Sequence, residues 1–142
     1  MKNSLSRFNL RVYGIYFCAD NELLACCEQY GKRRIIKLPG GGIKLGEGPI
    51  DALKREFKEE LGSDIEILSH YYTTDFFQLS AFDPNDQIIS LYYLVNILTN
   101  EKDWRTPPFI RLKKVKLDLI EPSYFTFPID QKVAALLIEN CL

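Results

Sequence analysis

Five charged side chains between residues 47 and 60 carry the chemistry open to this sequence: Glu47, Arg55, Glu56, Glu59 and Glu60. They lie within GGIKLGEGPIDALKREFKEELGS (residues 41–63), bracketed by Gly41 and Gly62 in the pattern G-x5-E-x7-R-E-[apolar]-x-E-E-x-G. Seven specified residues at average usage would meet by chance with a probability of about 10⁻⁸ per start position. Any one of these glutamates alone would read as part of a solvated helix face. At this fixed spacing they read as a metal site. Carboxylates three and four apart repel, and the C-terminal half of a helix prefers cations, each effect costing roughly 0.2–1 kcal/mol per exposed group. Lys54, Arg55 and Lys58 offset part of this. Mg²⁺ offsets it better, because it takes carboxylate oxygens and keeps positions open for water and phosphate. Such a site lowers the pKa of a bound water and neutralises phosphoryl oxygens in a transition state.

A helix must position these groups. Gly48-Pro49 is a start signal and Gly62 a stop. Between them Ile50, Leu53, Phe57 and Leu61 recur at helical spacing and form a buried stripe. At about 100° per residue, Glu60, Glu56 and Glu59 fan outward from the edge of that stripe. Ala52 removes bulk from the same wedge, and Arg55 stands four residues before Glu59, where the two can pair. The preceding Leu38-Pro39-Gly40-Gly41-Gly42 lets backbone approach a ligand closely and adopt positive φ.

The pattern resembles the signature box of the Nudix hydrolases, the MutT-like pyrophosphohydrolases, with no particular subfamily indicated. The resemblance implies one loop–helix–loop unit in which the Gly40 carbonyl, Glu56, Glu59 and Glu60 bind one to three Mg²⁺ or Mn²⁺ ions. It implies that Arg55 orients a box carboxylate and that Glu47 supports the site. Glu56 and Glu60 are then the principal ligands, with Glu59 a further ligand or the base that orients water; clustered carboxylates titrate as a group. Ser63 stands where the family usually carries an aliphatic residue, which should weaken packing at the helix exit. The implied fold is α/β (α+β), a Nudix-type α/β/α sandwich with a mixed curved sheet.

The rest of the chain agrees with that fold. At 142 residues it has the length of one domain, 1–142. The hydrophobic fraction of 46% and aromatic fraction of 13% suit a globular mixed fold. Strands are expected at Leu10–Cys18, Leu23–Glu28, Ile35–Leu38, Asp64–His70 continuing towards Leu79, Ile88–Leu98 and Leu112–Leu117. Turns are expected at Asp20-Asn21, Tyr30–Arg34 and Asp83–Asp86. Ile129, Val133, Leu136, Leu137 and Cys141 outline a C-terminal amphipathic helix. Strands around a central helix, closed by another, make a mixed α/β sandwich.

A net charge of −1 argues against binding a nucleic acid polymer, which needs a basic surface. Cys18, Cys26, Cys27 and Cys141 show no CxxC pattern and sit in apolar stretches, so buried free thiols and a cytoplasmic location are expected. No apolar run suits a signal peptide or a membrane span.

Substrate specificity has three candidate sources. Lys32, Arg33 and Arg34, in a turn before the glycines, could meet phosphate, as could Gly41 and Gly42; a solvated hairpin tip is an equal reading. Tyr71, Tyr72, Phe76 and Phe77 could stack a base, although half should face the core. The loop 99–111 carries Trp104, Glu101 and Asp103, either acid being a candidate extra ligand and a plain connection the simpler reading. His70, the only histidine, reads as structural.

The function implied is Mg²⁺-dependent hydrolysis of a diphosphate linkage in a nucleoside diphosphate joined to a moiety X, a small molecule whose identity the sequence leaves open. The alternative is a catalytically silent Nudix-fold sensor or protein-binding module, which the full set of carboxylates disfavours. An isomerase on the same fold ranks last, because no signature surrounds the cysteines. A homodimer is common in the family, but no interface is visible in this sequence.

Overall fold

Long apolar runs need cover on both faces, and the fold supplies it with a helix on either side of the strands. A computed structural model describes residues 4–141. Its elements are β1 (Arg7–Ile15), β2 (Phe17–Ala19), β3 (Glu22–Tyr30), β4 (Arg33–Lys37), β5 (Gly40–Gly42), α1 (Pro49–Leu61), β6 (Ile65–Thr73), β7 (Asp86–Ile97), β8 (Ile110–Lys116) and α2 (Pro128–Cys141). The expected mixed sheet has the order β5-β1-β7-β6, with β1 and β7 parallel and the outer pairs antiparallel. A second, antiparallel sheet is centred on β3, with β8 along one edge and β2 and β4 sharing the other.

The two sheets act as one middle layer. Val12, Leu24 and Val95 pack with Leu53, Phe57 and Leu61 of α1. Tyr13, Leu23 and Tyr92 pack with Ile129, Val133 and Leu137 of α2. Each sheet thus supplies both cores, and the α/β/α sandwich expected from the sequence is the observed architecture. No helix among the described residues is long and apolar enough to cross a membrane.

Several boundaries differ from expectation. The strand expected over Leu10–Cys18 is two strands in different sheets, because the chain crosses over at Tyr16, whose carbonyl accepts the Leu24 N–H at 2.9 Å. A run apolar on both faces carries no mark of where it changes partners. The polar turn expected at Tyr30–Arg34 is confined to Gly31-Lys32, with Gly31 at φ 58°; Arg33 and Arg34 already belong to β4. The strand expected to continue in some form to Leu79 ends as a regular strand at Thr73, after two register shifts, and the chain meets β7 again in a single antiparallel bridge between Leu79 and Gln87. Beyond Thr73, Thr74 takes up the next ladder positions: its N–H donates to the Ser90 carbonyl at 3.0 Å and its hydroxyl accepts the Ser90 N–H at 2.8 Å. Ile50, expected in the buried stripe, is exposed at the first turn of α1. Cys26 and Cys27 are buried free thiols as expected, but Cys18 is half-buried and Cys141, on the last turn of α2, is exposed.

Gly14 is where α1 meets the mixed sheet. A Cβ there would lie 2.6 Å from the Phe57 ring, which is fully buried, so only hydrogen lets the helix approach. Gly14→Ala should lower unfolding free energy by about 1–3 kcal/mol, the usual cost of overpacking, read as a fall in the urea midpoint. An unchanged midpoint would show that the helix has room to retreat.

Candidate active site

The close seating of α1 on β5 creates the site. The helix starts at Gly48, whose N–H donates to Asp51 Oδ2 at 3.1 Å, and ends at Gly62, left-handed at φ 70°, whose N–H donates to the Lys58 carbonyl at 2.9 Å. Two of the three glycines of β5 are there for a steric reason. A Cβ on Gly41 would overlap the Glu56 carboxylate, and one on Gly40, at φ 143°, would strike the Val12 carbonyl. Glu56 and Glu60 are thereby pressed against backbone that no side chain screens.

Glu60 is 6% exposed. Its Oε1 accepts the Gly40 N–H at 3.2 Å and its Oε2 lies 3.8 Å from Lys37 Nζ. Lys37, only 3% exposed, also donates to the Gly40 carbonyl at 3.0 Å and stands 3.9 Å from Glu28 Oε1. Burial works against its charge, but Glu60, Tyr13, Cys26 and Glu28 outweigh it and raise the Lys37 pKa. Burial raises the Glu60 carboxyl well above the usual carboxylate range; Lys37 opposes this and Glu56 adds to it. Upward is the physical direction, since the one ammonium is shared with Glu28 while Glu56 brings a second negative charge.

Arg55 organises the outer half. Its Nε and Nη2 donate to Glu47 at 2.6 and 3.0 Å, its Nη1 to Glu56 at 3.2 Å and Glu59 at 3.1 Å, and its Nη2 also to the Gly42 carbonyl at 2.9 Å. The Arg55 bond, with the Lys44 N–H, pulls the Glu47 carboxyl down to about 2. Glu59 is drawn outward, its side chain 55% exposed. No three acidic, histidine or cysteine side chains among the described residues close on one point ready to hold an ion. Glu56, Glu60 and the Gly40 carbonyl do fit an oxygen-liganded divalent cation. Two crowded carboxyls, one with its pKa pushed up, lack the positive charge that such an ion brings.

The other sequence candidates are divided. Arg33 stacks its guanidinium over Phe82, 5.0 Å from the ring centroid. Arg34 is not part of this site: adjacent strand residues face opposite ways, and its Nη2 meets Cys27 Sγ at 3.4 Å beside Phe109 and Arg111. Glu101 is paired with Lys114 at 2.7 Å, and Asp103 is exposed. Phe76 and Phe77 are exposed and Tyr71 and Tyr72 pack on the core, so the four do not share one environment. His70 is exposed and bonded to Thr73, as befits a structural residue. Ser63 is fully buried without loosening the helix exit, because its hydroxyl donates to the Asp64 carbonyl at 2.9 Å and accepts the Thr99 N–H at 3.3 Å.

Beside the carboxylates opens a cavity of about 150 Å³ that the sequence did not reveal. Lys37 and Arg11 line it, as do Tyr13, Tyr92, Phe82 and Asp130. Lys37 belongs to both places, touching Glu60 and Gly40 while lining the cavity.

The model of the NUDIX domain matches residues 8–132, which includes the box, both sheets and the start of α2. The chain belongs to the NUDIX family. Two curated relatives share the name RNA pyrophosphohydrolase. That of a Nitratiruptor species is 36% identical over 108 residues, spanning 68% of this chain and 70% of the relative. That of Helicobacter pylori is 37% identical over 106 residues, spanning 61% and 68%. Among solved structures, a NUDIX hydrolase from Nitrosomonas europaea superposes with a TM-score of 0.76 at 17% identity, covering 94% of this chain and 90% of that one. A MutT protein from Methanosarcina mazei gives 0.74 at 17% identity, covering 94% of each. At that identity the structural likeness speaks for the NUDIX fold, and the sequence match for the family.

Lys37→Met should lower unfolding free energy by about 3–5 kcal/mol, because it strands Glu28 and Glu60 without a counter-charge; adding Glu28→Gln should recover part of this in urea titrations. A pH dependence follows from Asp130, whose carboxyl is pushed from 3.8 up to about 6 by burial, the Tyr92 hydrogen bond opposing. The folded state holds that proton longer, so this group's contribution to stability is fully present below pH 3.8 and is lost as pH rises through about 6. At two pKa units the loss from this group is about 3 kcal/mol. The fall in Tm across that window should be smaller in Asp130→Asn; equal slopes would refute it.

Proposed function

We propose that this NUDIX protein is a pyrophosphohydrolase that cleaves the diphosphate bridge of a nucleoside diphosphate linked to a moiety X, using Mg²⁺ or Mn²⁺. The observation that carries the reading is the pair of crowded carboxyls, Glu56 and Glu60, pressed on the bare backbone of Gly40 and Gly41. Glu56, Glu60 and the Gly40 carbonyl would hold the ion, with Glu59 joining when it leaves Arg55. When bound, the ion neutralises charge on the phosphoryl oxygens and acidifies a water. Arg55 steadies Glu56 at the site while holding Glu59 at its outer edge, and Glu47 anchors Arg55. The proton of the attacking water passes to one of the clustered carboxylates, which titrate as a group. Lys37, fixed between Glu60 and the cavity, offers a cation to the phosphate chain on its way into the site. Residues 1–142 act as one catalytic domain in the cytoplasm.

A second reading comes from the relatives named RNA pyrophosphohydrolase: the substrate would be the 5′-phosphorylated end of an RNA. The net charge of −1 gives little general attraction for a polymer, which favours the small molecule.

Phosphate or pyrophosphate release should be measured over dNTPs, oxidised dNTPs, ADP-ribose, NADH, dinucleoside polyphosphates, nucleotide sugars, coenzyme A and a 5′-triphosphorylated RNA oligonucleotide. Turnover should require the divalent ion and fall about 10²–10⁴-fold in Glu56→Gln and in Glu60→Gln, with circular dichroism unchanged. Turnover by the double variant at the wild-type rate would refute the enzyme; release from the RNA alone would transfer the proposal to RNA ends. Tight nucleotide binding with Mg²⁺ and no cleavage over hours would instead favour a sensor.

A further inference from the structure

The antiparallel sheet gathers positive charge on the face turned away from the box. Along β3, Cys27 and Gln29 alternate with Cys26 and Glu28, and the register with β4 and β8 is unbroken on both sides. Gln29 lies opposite Arg34 on β4, and Cys27 lies opposite Arg111 on β8, so these four side chains share one face. Glu28 faces the other way, where it stands 3.9 Å from Lys37. The three strands bring Arg34, Arg111 and Lys113 to the shared face and no acid, in a chain whose net charge is −1.

A groove of about 340 Å³ opens between the two arginines, with Pro108 and Phe109 along it and no acid in its lining. That volume is within the range of small-molecule pockets. Other arginines of the chain have carboxylate partners: Arg7 pairs with Asp83 and Arg55 with Glu47. Here Arg34 Nη2 meets only Cys27 Sγ, at 3.4 Å, and a thiol is a weak acceptor. The Arg111 guanidinium makes no hydrogen bond or ion pair with any described residue. Gln29 does not serve either of them, because its amide donates to the Gly31 carbonyl at 2.7 Å. Strands β4 and β8 flank β3, so their backbones are about 10 Å apart, a gap that two arginine side chains bridge with one anion between them. Two like charges over a single thiol repel. An anion there turns the repulsion into two charge-assisted pairs, and the planar fork of arginine matches the oxygens of a phosphate. Phe109, 54% exposed, offers a bare aromatic ring in the same groove.

We propose that this groove is a second ligand site, which takes the phosphate of a mononucleotide between Arg34 and Arg111 and its base against Phe109. The sheet separates it from Glu56 and Glu60, and the inference is independent of the pyrophosphohydrolase reading. Arg34 would then meet phosphate, but on the far side of the sheet from the box.

The test follows the backbone amide NMR signals of the full chain during titration with AMP and with inorganic phosphate, both without divalent ions. With AMP the amides of Gln29, Phe109 and Arg111 should shift and saturate, with a half-saturation below about 1 mM. Inorganic phosphate should bind the same place at least about tenfold more weakly, because it has no base to stack. Arg111→Gln and Arg34→Gln should each weaken AMP binding about tenfold or more. Arg111→Lys should recover only part of the loss, since it restores the charge and not the fork. Phe109→Ala should bring the two probes close to equal affinity. The Arg111 guanidinium has no partner in the fold, so its substitution leaves the structure intact. The proposal is overturned by the absence of saturable shifts at these three amides, by shifts confined to the cavity lined by Lys37 and Asp130, by AMP affinity unchanged in both glutamine variants, or by phosphate binding as tightly as AMP. AMP contains no anhydride to cleave, so the two readings fail separately. Groove binding without hydrolysis in the substrate panel refutes the enzyme alone, and hydrolysis without groove binding refutes the second site alone.

Discussion

Glu60 is a carboxyl that the fold insists on burying, and much of the structure is arranged around that fact. A charge taken out of water must be met by hydrogen bonds or by an opposite charge, or else it takes up a proton. The molecule supplies a backbone N–H from Gly40 and an ammonium from Lys37, and then withholds full neutralisation by sharing that ammonium with Glu28 and crowding in Glu56. Gly41 leaves room for Glu56 of the helix, Gly40 lies against the backbone of β1, and Gly14 leaves room for the Phe57 ring. A stable scaffold thus keeps a local deficit of positive charge, which is the condition for capturing a divalent cation.

Lys37 connects two regions that would otherwise be unrelated. It extends from β4 in the antiparallel sheet to the box on α1, and it also lines the cavity floored by β1 and β7 of the mixed sheet. The two sheets diverge where the chain crosses at Tyr16, and the cavity lies between the mixed sheet, the start of α2 and the loop after β6. The cations Lys37 and Arg11 and the acid Asp130 line it together.

The box was legible because its information is local. Helix α1, its caps and the outward fan of Glu56, Glu59 and Glu60 all follow from 3.6 residues per turn, and the observed helix runs from the expected proline to the residue before the expected glycine. The Arg55–Glu59 pair was visible for the same reason. Glu28, Lys37, Arg11 and Asp130 were not. Lys37 interrupts an apolar run, Ile35-Ile36-Lys37-Leu38, and that interruption was the one available signal. Asp130 looked like an ordinary acid in the first turn of a helix. The sequence suggests an aromatic surface at Tyr71–Phe77, whereas Tyr13, Tyr92 and Phe82 line the cavity, because the chain leaves the ladder after Thr74.

By itself, then, the sequence determined the family, the class of chemistry, the helix bearing it and the need for bare backbone beneath that helix, since each is written in short-range spacing and steric size. Only the tertiary structure decided which carboxyl would be buried, that Glu59 would be held outward by Arg55, that Arg33 and Arg34 would part to opposite faces, and that an acid from α2 would look into a cavity floored by β1 and β7. Those outcomes depend on distances between residues far apart in the chain. Burial and field at a point are sums over everything that packs there, and no local pattern contains that sum.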